Sequence, residues 1–325
     1  MLRFALGCGL LAACGRTDET VVGVDGSSTV FPISEAVAEE FRKSGRGRVT
    51  VSMSGTGGGF QKLCRAEVPV IGASRPIKPQ EVEACAAANV DFIELPVAYD
   101  GISIVVHPQA DWIESITVDE LRKMWAPEAQ EQVMRWSDVR PDWPDVELHL
   151  FGAGVDSGTY DYFTLATVGV EHASRGDYTS SEDDNMLVQG VASDKHALGF
   201  TGYAYYIENR DKLKLIPVDD RDATNGDGPI APSFESVLGG TYQPLSRPIF
   251  VYVSRAALAR AEVGAFVEFY LQQCPELARE VGYMPLPDSA YEIVRARFAA
   301  RTLGSAFGGH GSTVGITVES LLRAG

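Results

Sequence analysis

Short apolar runs alternate along the chain with longer stretches whose apolar residues fall three or four apart, the pattern of strands followed by helices. Val21–Val24 reads as a first strand, and Pro32 opens a helix with Ile33, Val37 and Phe41 on one face. Arg48–Met53 and Val68–Ala73 read as strands, and the helix between them passes through Phe60 and Leu63. Ile102–Val106 is predicted to cross between two halves of the molecule, and Pro248–Val253 to cross back before a helix over Val263–Gln272. Thr117 and Glu120 have the spacing of a capping box, and Trp125, Trp136 and Trp143 are expected to pack around the helix that it opens. Glu147–Phe151 then predicts a strand, Tyr160–Ala166 a helix, and Asn185 the start of a helix carrying Leu187 and Val188. This alternation predicts the α/β class.

The first residues break the pattern. Phe4–Ala13 is apolar but too short to span a bilayer, and it runs into Leu11-Ala12-Ala13-Cys14. This is the form of a bacterial lipoprotein signal. Residues 1–13 are expected to be removed, Cys14 to carry lipid, and residues 14–20 to act as a tether in the cell envelope, in the periplasm or on the outer face of the membrane.

Composition narrows the class. With 45% hydrophobic and 22% charged residues, 325 residues can build two domains. The net charge of −16 argues against nucleic acid as a partner, and losing the leader would remove only the positive Arg3. It also excludes long-range attraction of anions, so an anion site must rely on local N–H dipoles, hydroxyls and a few cations. Of the cysteines that would remain after lipidation, Cys64 and Cys85 each end a predicted helix. Paired, they would close a loop of about 20 residues, worth roughly 3 kcal/mol, and leave Cys274 as a buried thiol. No Cys or His pair has zinc-ligand spacing, so no metal or cofactor is expected.

Three clusters carry the chemistry: Gly26-Ser27-Ser28-Thr29, Ser54-Gly55-Thr56-Gly57-Gly58-Gly59 and Asp156-Ser157-Gly158-Thr159. Each follows a predicted strand and leads into a predicted helix, where unpaired backbone N–H groups and the positive end of the helix dipole can hold an anion. Together they predict an oxyanion receptor. Val155-Asp156-Ser157-Gly158 also resembles the Gly-Asp-Ser-Gly stretch of serine proteases, but His107 precedes a proline and His149 alternates with apolar residues, so neither has the context of a base. No Gly-Lys-Ser/Thr follows a glycine loop, and Asn225-Gly226-Asp227-Gly228 lacks the spaced ligands of a calcium loop. No enzyme activity is expected.

The order of Asp25-Gly-Ser-Ser-Thr-Val-Phe-Pro, Ser54-Gly-Thr-Gly-Gly-Gly, Gly72-Ala-Ser-Arg-Pro-Ile, Asp156-Ser-Gly-Thr and Ala197-Leu-Gly-Phe-Thr-Gly-Tyr-Ala-Tyr resembles the phosphate-binding lipoproteins of ABC importers, the PstS family. The resemblance runs from about residue 20 to the C-terminus. Ser174-Arg-Gly-Asp-Tyr and Glu182-Asp-Asp-Asn further resemble a second branch of that family. It implies a type II periplasmic binding fold, two α/β lobes with mixed sheets joined by two crossing strands. Residues 21–103 and 252–325 would form lobe 1, and residues 104–251 lobe 2. Inorganic phosphate would be the ligand and an ABC permease the partner of a monomeric receptor; the alternatives are another oxyanion such as sulfate, or an adhesin or sensor on the same fold. Ser28, Thr29 and Val30 would supply one face of the phosphate cage, Thr56 and Gly57 a second, and Ser157, Gly158 and Thr159 a third.

Two departures from the family pattern bear on specificity. Arg75 stands where the best-known branch has an aspartate that receives the ligand proton, and Ala153 where that branch has its ligand-facing arginine. The pair reads as a relocation of one guanidinium to the other lobe, with Arg75 as a cleft donor. Asp156 is then the expected substitute acceptor, or a partner for Arg75, with Asp25 and Asp100 as weaker candidates. Arg175 and Asp177 are given no role, and the Glu182–Asn185 run reads as a solvated loop or, since Asn185 opens a helix with Leu187 and Val188, as a face of the cleft.

Overall fold

The organising element is Phe92–Val106, a 15-residue strand buried at every position except Tyr99. The computed structural model describes residues 21–315 and residue 318. Phe92–Gly101 pairs antiparallel with Ser246–Ser254, and Ile102–Val106 pairs with Ala197–Gly202 on one side and Lys214–Ile216 on the other. One sheet therefore runs through Arg48–Val51, Val21–Gly26, Val70–Ala73, Ser246–Ser254, Phe92–Val106, Ala197–Gly202, His149–Ala153 and Thr179–Ser181. Its mixed topology, with helices against it in both halves, is the expected two-lobed α/β fold. The first crossing strand starts ten residues before the predicted Ile102, continuing through Asp100-Gly101. Folding keeps it continuous by pairing the fully buried Asp100 with Arg247 on the neighbouring strand, 3.0 Å apart.

Two large apolar cores flank the crossing. Val22, Val24, Ile33, Val37, Phe41, Phe60 and Phe266 belong to one, and Trp125, Trp136, Trp143, Phe163 and Phe200 to the other. The cores exchange between Ala98 and Ile102 on one crossing strand and between Leu245 and Ile249 on the other. Pro32 sits in the first turn of the helix Phe31–Lys43, and Ile33, Val37 and Phe41 are its buried face. Thr117 and Glu120 form the capping box, with the Glu120 N–H donating to Thr117 Oγ1 at 3.1 Å and the Thr117 N–H to Glu120 Oε2 at 2.9 Å. The helix expected to stop at Gln272 runs over Ala261–Glu280, through Pro275. Leu277 and Ala278, buried beyond the proline, anchor its last turns against the first core.

Local boundaries shift by a few residues elsewhere. The strands read as Arg48–Met53, Val68–Ala73 and Glu147–Phe151 are observed as Arg48–Val51, Val70–Ala73 and His149–Ala153. Cys64 and Cys85 form the expected disulfide, with 4.3 Å between Cα atoms, tying the helix Gly55–Cys64 to Pro79–Ala87. Cys274 is a buried free thiol. The tail returns to the first lobe, where the buried Glu94 accepts from the Ser305 hydroxyl and the Ala306 N–H, both at 2.7 Å, and the Gly311 N–H donates to the Ile77 carbonyl. The leader, Cys14 and the tether lie outside the described residues.

The sheet decides where the clusters go. Val21–Gly26 runs parallel to Arg48–Val51 and Val70–Ala73, and His149–Ala153 parallel to Ala197–Gly202 and Thr179–Ser181. Parallel strands bring their carboxyl ends to one edge, which is where open α/β sheets place ligands.

Candidate functional site

Three helices start at this edge, and their first turns meet. Val30 caps the helix Phe31–Lys43, with Ser28 and Thr29 buried just before it. The helix Gly55–Cys64 begins at the glycine cluster, and Ser157 caps Gly158–Val168 by accepting the Thr159 N–H at 3.1 Å. The first and third starts touch through Thr29 Oγ1 and Thr159 Oγ1, 3.0 Å apart across the lobes. The second meets the third where the Gly57 N–H donates to the Asp156 carbonyl at 2.9 Å. Thr56 is fully buried, accepts the Ser74 N–H at 3.1 Å and lies 3.2 Å from the Ser74 hydroxyl.

Glycine is required at two of these contacts. A Cβ on Gly55, whose φ is +74°, would stand 2.6 Å from the Asp156 carbonyl. A Cβ on Gly158 would stand 2.6 Å from Ser74 Oγ and 2.8 Å from Thr56 Oγ1. The lobes approach this closely because no side chain stands between their backbones. Of the residues expected from sequence, Ser28, Thr29, Val30, Thr56, Gly57, Ser157, Gly158 and Thr159 are thus gathered at one interlobe seam.

The guanidinium at this seam belongs to Arg247, which sequence reasoning passed over. It is 1% exposed and donates to Thr159 Oγ1 at 2.7 Å, to the Gly158 carbonyl at 2.9 Å and to Asp100 Oδ2 at 3.0 Å; a longer contact of 3.4 Å reaches Thr29 Oγ1. Burial pushes the Asp100 carboxyl up to about 6 against the pull of Arg247. A sequence signal existed: Ser246-Arg247-Pro248 repeats Ser74-Arg75-Pro76, and the two stretches end antiparallel neighbours that pair Phe250 with Ala73. A second unassigned carboxylate, Asp184, lies in the run read as a solvated loop. It is 2% exposed and accepts from the hydroxyls of Ser28 and Thr201, each at 2.6 Å. Burial raises its pKa, opposed by these hydrogen bonds.

Arg75 has other partners. It is 3% exposed and binds Glu81 with two N–H groups at 2.7 Å each, while its Nε–H donates to Asp161 of the opposite lobe. Lys78 extends the cluster, with Nζ 3.0 Å from both Asp161 and Glu171, and His172 Nε2 lies 2.6 Å from Asp161. This rim of charges joins the lobes beside the seam of hydroxyls. The Asp156 side chain is exposed, and Asp25 is engaged by Lys62 at 2.5 Å and Ser54 at 2.7 Å. Glu182 accepts the Asp156 N–H at 3.1 Å, and burial together with Asp156, Asp184 and Asp161 pushes it up to about 7. Arg175 is 3% exposed, paired with Asp177 and donating to the Met124 and Val133 carbonyls. His149 binds Asp194 and Glu147, and His107 accepts the Gln109 N–H.

The arrangement aims the positive ends of three helix dipoles and several hydroxyls at one point, with a buried arginine behind them, the features of a site for a small anion. Known proteins agree in outline. Residues 15–273 match a family profile described as a PBP superfamily domain. The chain is 48% identical to Protein SphX of Synechococcus elongatus over 305 residues, covering 94% of this chain and 88% of that protein. It is 33% identical to the phosphate-binding protein PstS of Staphylococcus saprophyticus over 296 residues, covering 90% of this chain and 88% of the relative. A crystal structure of a possible phosphate-binding protein from Planctomyces limnophilus matches with a TM-score of 0.63 and 44% identity, over 87% of this chain and 99% of that one.

Proposed function

We infer the function from one premise, that the chain belongs to the PBP superfamily and, within it, to the PstS family of phosphate-binding proteins. On this reading it is a non-catalytic receptor that captures inorganic phosphate between its lobes and delivers it to an ABC permease. The observation that carries the reading is the meeting of three helix starts from two lobes at Thr29, Thr56, Gly57, Ser157, Gly158 and Thr159. Phosphate loses its hydration when enclosed, and only many simultaneous hydrogen bonds from both sides offset that loss. The Gly158 amide and the hydroxyls of Ser28, Thr29, Thr56, Ser157 and Thr159 supply them, with Arg247 as the nearest charge; the Val30, Gly57 and Thr159 amides, which donate to the Ser27 carbonyl, to the Asp156 carbonyl and to Ser157 Oγ, would join only by exchanging those partners.

Arg75 enters this reading as a tie between lobes rather than as a ligand contact, because Glu81 and Asp161 occupy its guanidinium. Ligand binding shifts the population toward the closed form because the anion touches both lobes only there. The same proposal includes removal of residues 1–13, lipidation of Cys14, action outside the cytoplasm as a monomer, and lobes formed by residues 21–103 with 252–325 and by residues 104–251. Isothermal titration of phosphate and then sulfate into an anion-stripped form beginning after Cys14 tests it. Tight phosphate binding without sulfate heat is expected. Equal sulfate binding moves the ligand to another oxyanion, and silence from both favours an adhesin or sensor.

A further inference from the structure

We propose that the buried carboxylate of Asp184 fixes the polarity of the Ser28 hydroxyl, making Ser28 the acceptor through which the site selects an oxyanion that carries a proton. The inference rests on the phosphate reading above. A serine hydroxyl has one proton and two lone pairs. Ser28 gives its proton to Asp184 Oδ2 at 2.6 Å, across the lobes, with the two residues 3% and 2% exposed. The other carboxylate oxygen is taken by Thr201 at 2.6 Å, and the Gly202 backbone also donates to the group. Asp184 opens the helix Asp184–Ser193, whose positive end favours the ionised form. Ionised, Asp184 faces only donors and has no proton to return, and Ser28 is left with lone pairs alone for a ligand.

Thr159 is set the opposite way. Its Oγ1 accepts from Arg247 at 2.7 Å, which leaves its own proton to be donated, toward Thr29 Oγ1 3.0 Å away or to a ligand that takes that place. Two buried charges, one behind each lobe's hydroxyl, therefore build a cage of donors with one obligate acceptor. Monohydrogen phosphate and arsenate fill the acceptor with their own O–H; sulfate, which has no proton near neutral pH, opposes lone pair to lone pair. None of the carboxylates considered from sequence serves: Asp156 is exposed, Asp25 is held by Lys62 and Ser54, and Asp100 by Arg247.

The test is titration calorimetry of phosphate and arsenate, with sulfate measured by competition, on the parent, Asp184→Asn, Ser28→Ala and the double variant, each checked for folding by circular dichroism. In Asp184→Asn the amide donates to Ser28 and reverses the hydroxyl. Phosphate and arsenate should weaken at least about tenfold while the phosphate-to-sulfate ratio narrows by a similar factor. Ser28→Ala should narrow the ratio too, and in its background Asp184→Asn should narrow it no further. Should Asp184→Asn fail to fold, the Ser28→Ala ratio decides. Unchanged ratios, or equal weakening of phosphate and sulfate, overturn the inference and leave the receptor reading standing. A parent that binds none of the three anions overturns both.

Discussion

Two regions join the lobes, and they are built from opposite materials. At the seam, Thr29 meets Thr159 and Gly57 meets Asp156 through hydroxyls and backbone, with Arg247, Asp100 and Asp184 held one layer behind. At the rim, Arg75, Lys78, Glu81, Asp161 and Glu171 touch directly as charges, with His172 beside Asp161. A chain of net charge −16 gains little from displaying cations to an anion, since its overall field repels the ligand. Neutral donors at helix starts can hold an anion without that conflict. Charges are useful where they face one another, in holding the lobes together.

The largest effect should follow from removing the charge behind the seam. Arg247→Ala leaves Asp100 buried without its partner, so it should lower stability by about 3–5 kcal/mol in chemical denaturation. Phosphate affinity should fall about a hundredfold as the support behind Thr159 goes. A milder Arg247→Lys variant that bound as the parent does would show that the guanidinium is not needed at the seam.

A smaller loss is expected at the rim. Arg75→Ala should weaken phosphate and sulfate alike, about tenfold, by disfavouring the closed form, whereas a ligand-contacting Arg75 would change their ratio. Lys78→Ala should weaken phosphate only about threefold, and raising salt from 0.01 to about 1 M should weaken the parent more than this variant. Equal salt dependence in the two would remove the rim from the account of closure.

The smallest effect is one of pH. Glu182 lies where seam and rim meet, and burial lifts its folded pKa to about 7, above the ordinary 4.5 of a glutamate. Below the lower value both folded and unfolded chains hold the proton; between the two only the folded chain keeps it, so this group's stability contribution is lost as pH rises through about 7. Glu182→Gln should therefore match the parent near pH 4 and exceed it by about 1 kcal/mol or less at pH 8, its partial exposure limiting the gain. Parallel stability curves for the two proteins would show that Glu182 is not strained.

What was legible in the sequence follows the same division. The clusters at Ser28, Thr56 and Ser157 announce themselves because hydroxyls and glycines after a strand are local signals of a helix start. Arg247 and Asp184 take their roles from partners 88 and 156 residues away, which only folding brings near. Of the two Ser-Arg-Pro stretches, only Ser74-Arg75-Pro76 lies in a motif resembling the family, although Arg247 of the other points into the seam. The early start of the crossing strand was hidden for the same reason, since a carboxylate such as Asp100 is tolerated in a buried strand only when its cation arrives from elsewhere.

The most direct test is a crystal structure of the chain from residue 21 onward with phosphate bound. The ion should lie between the lobes within about 2.7–3.1 Å of donors at Thr29, Thr56, Ser157, Gly158 and Thr159, with Arg75 still paired to Glu81 and Asp161. Phosphate seated on Arg75 with that pairing broken, or bound outside the seam, would contradict the account.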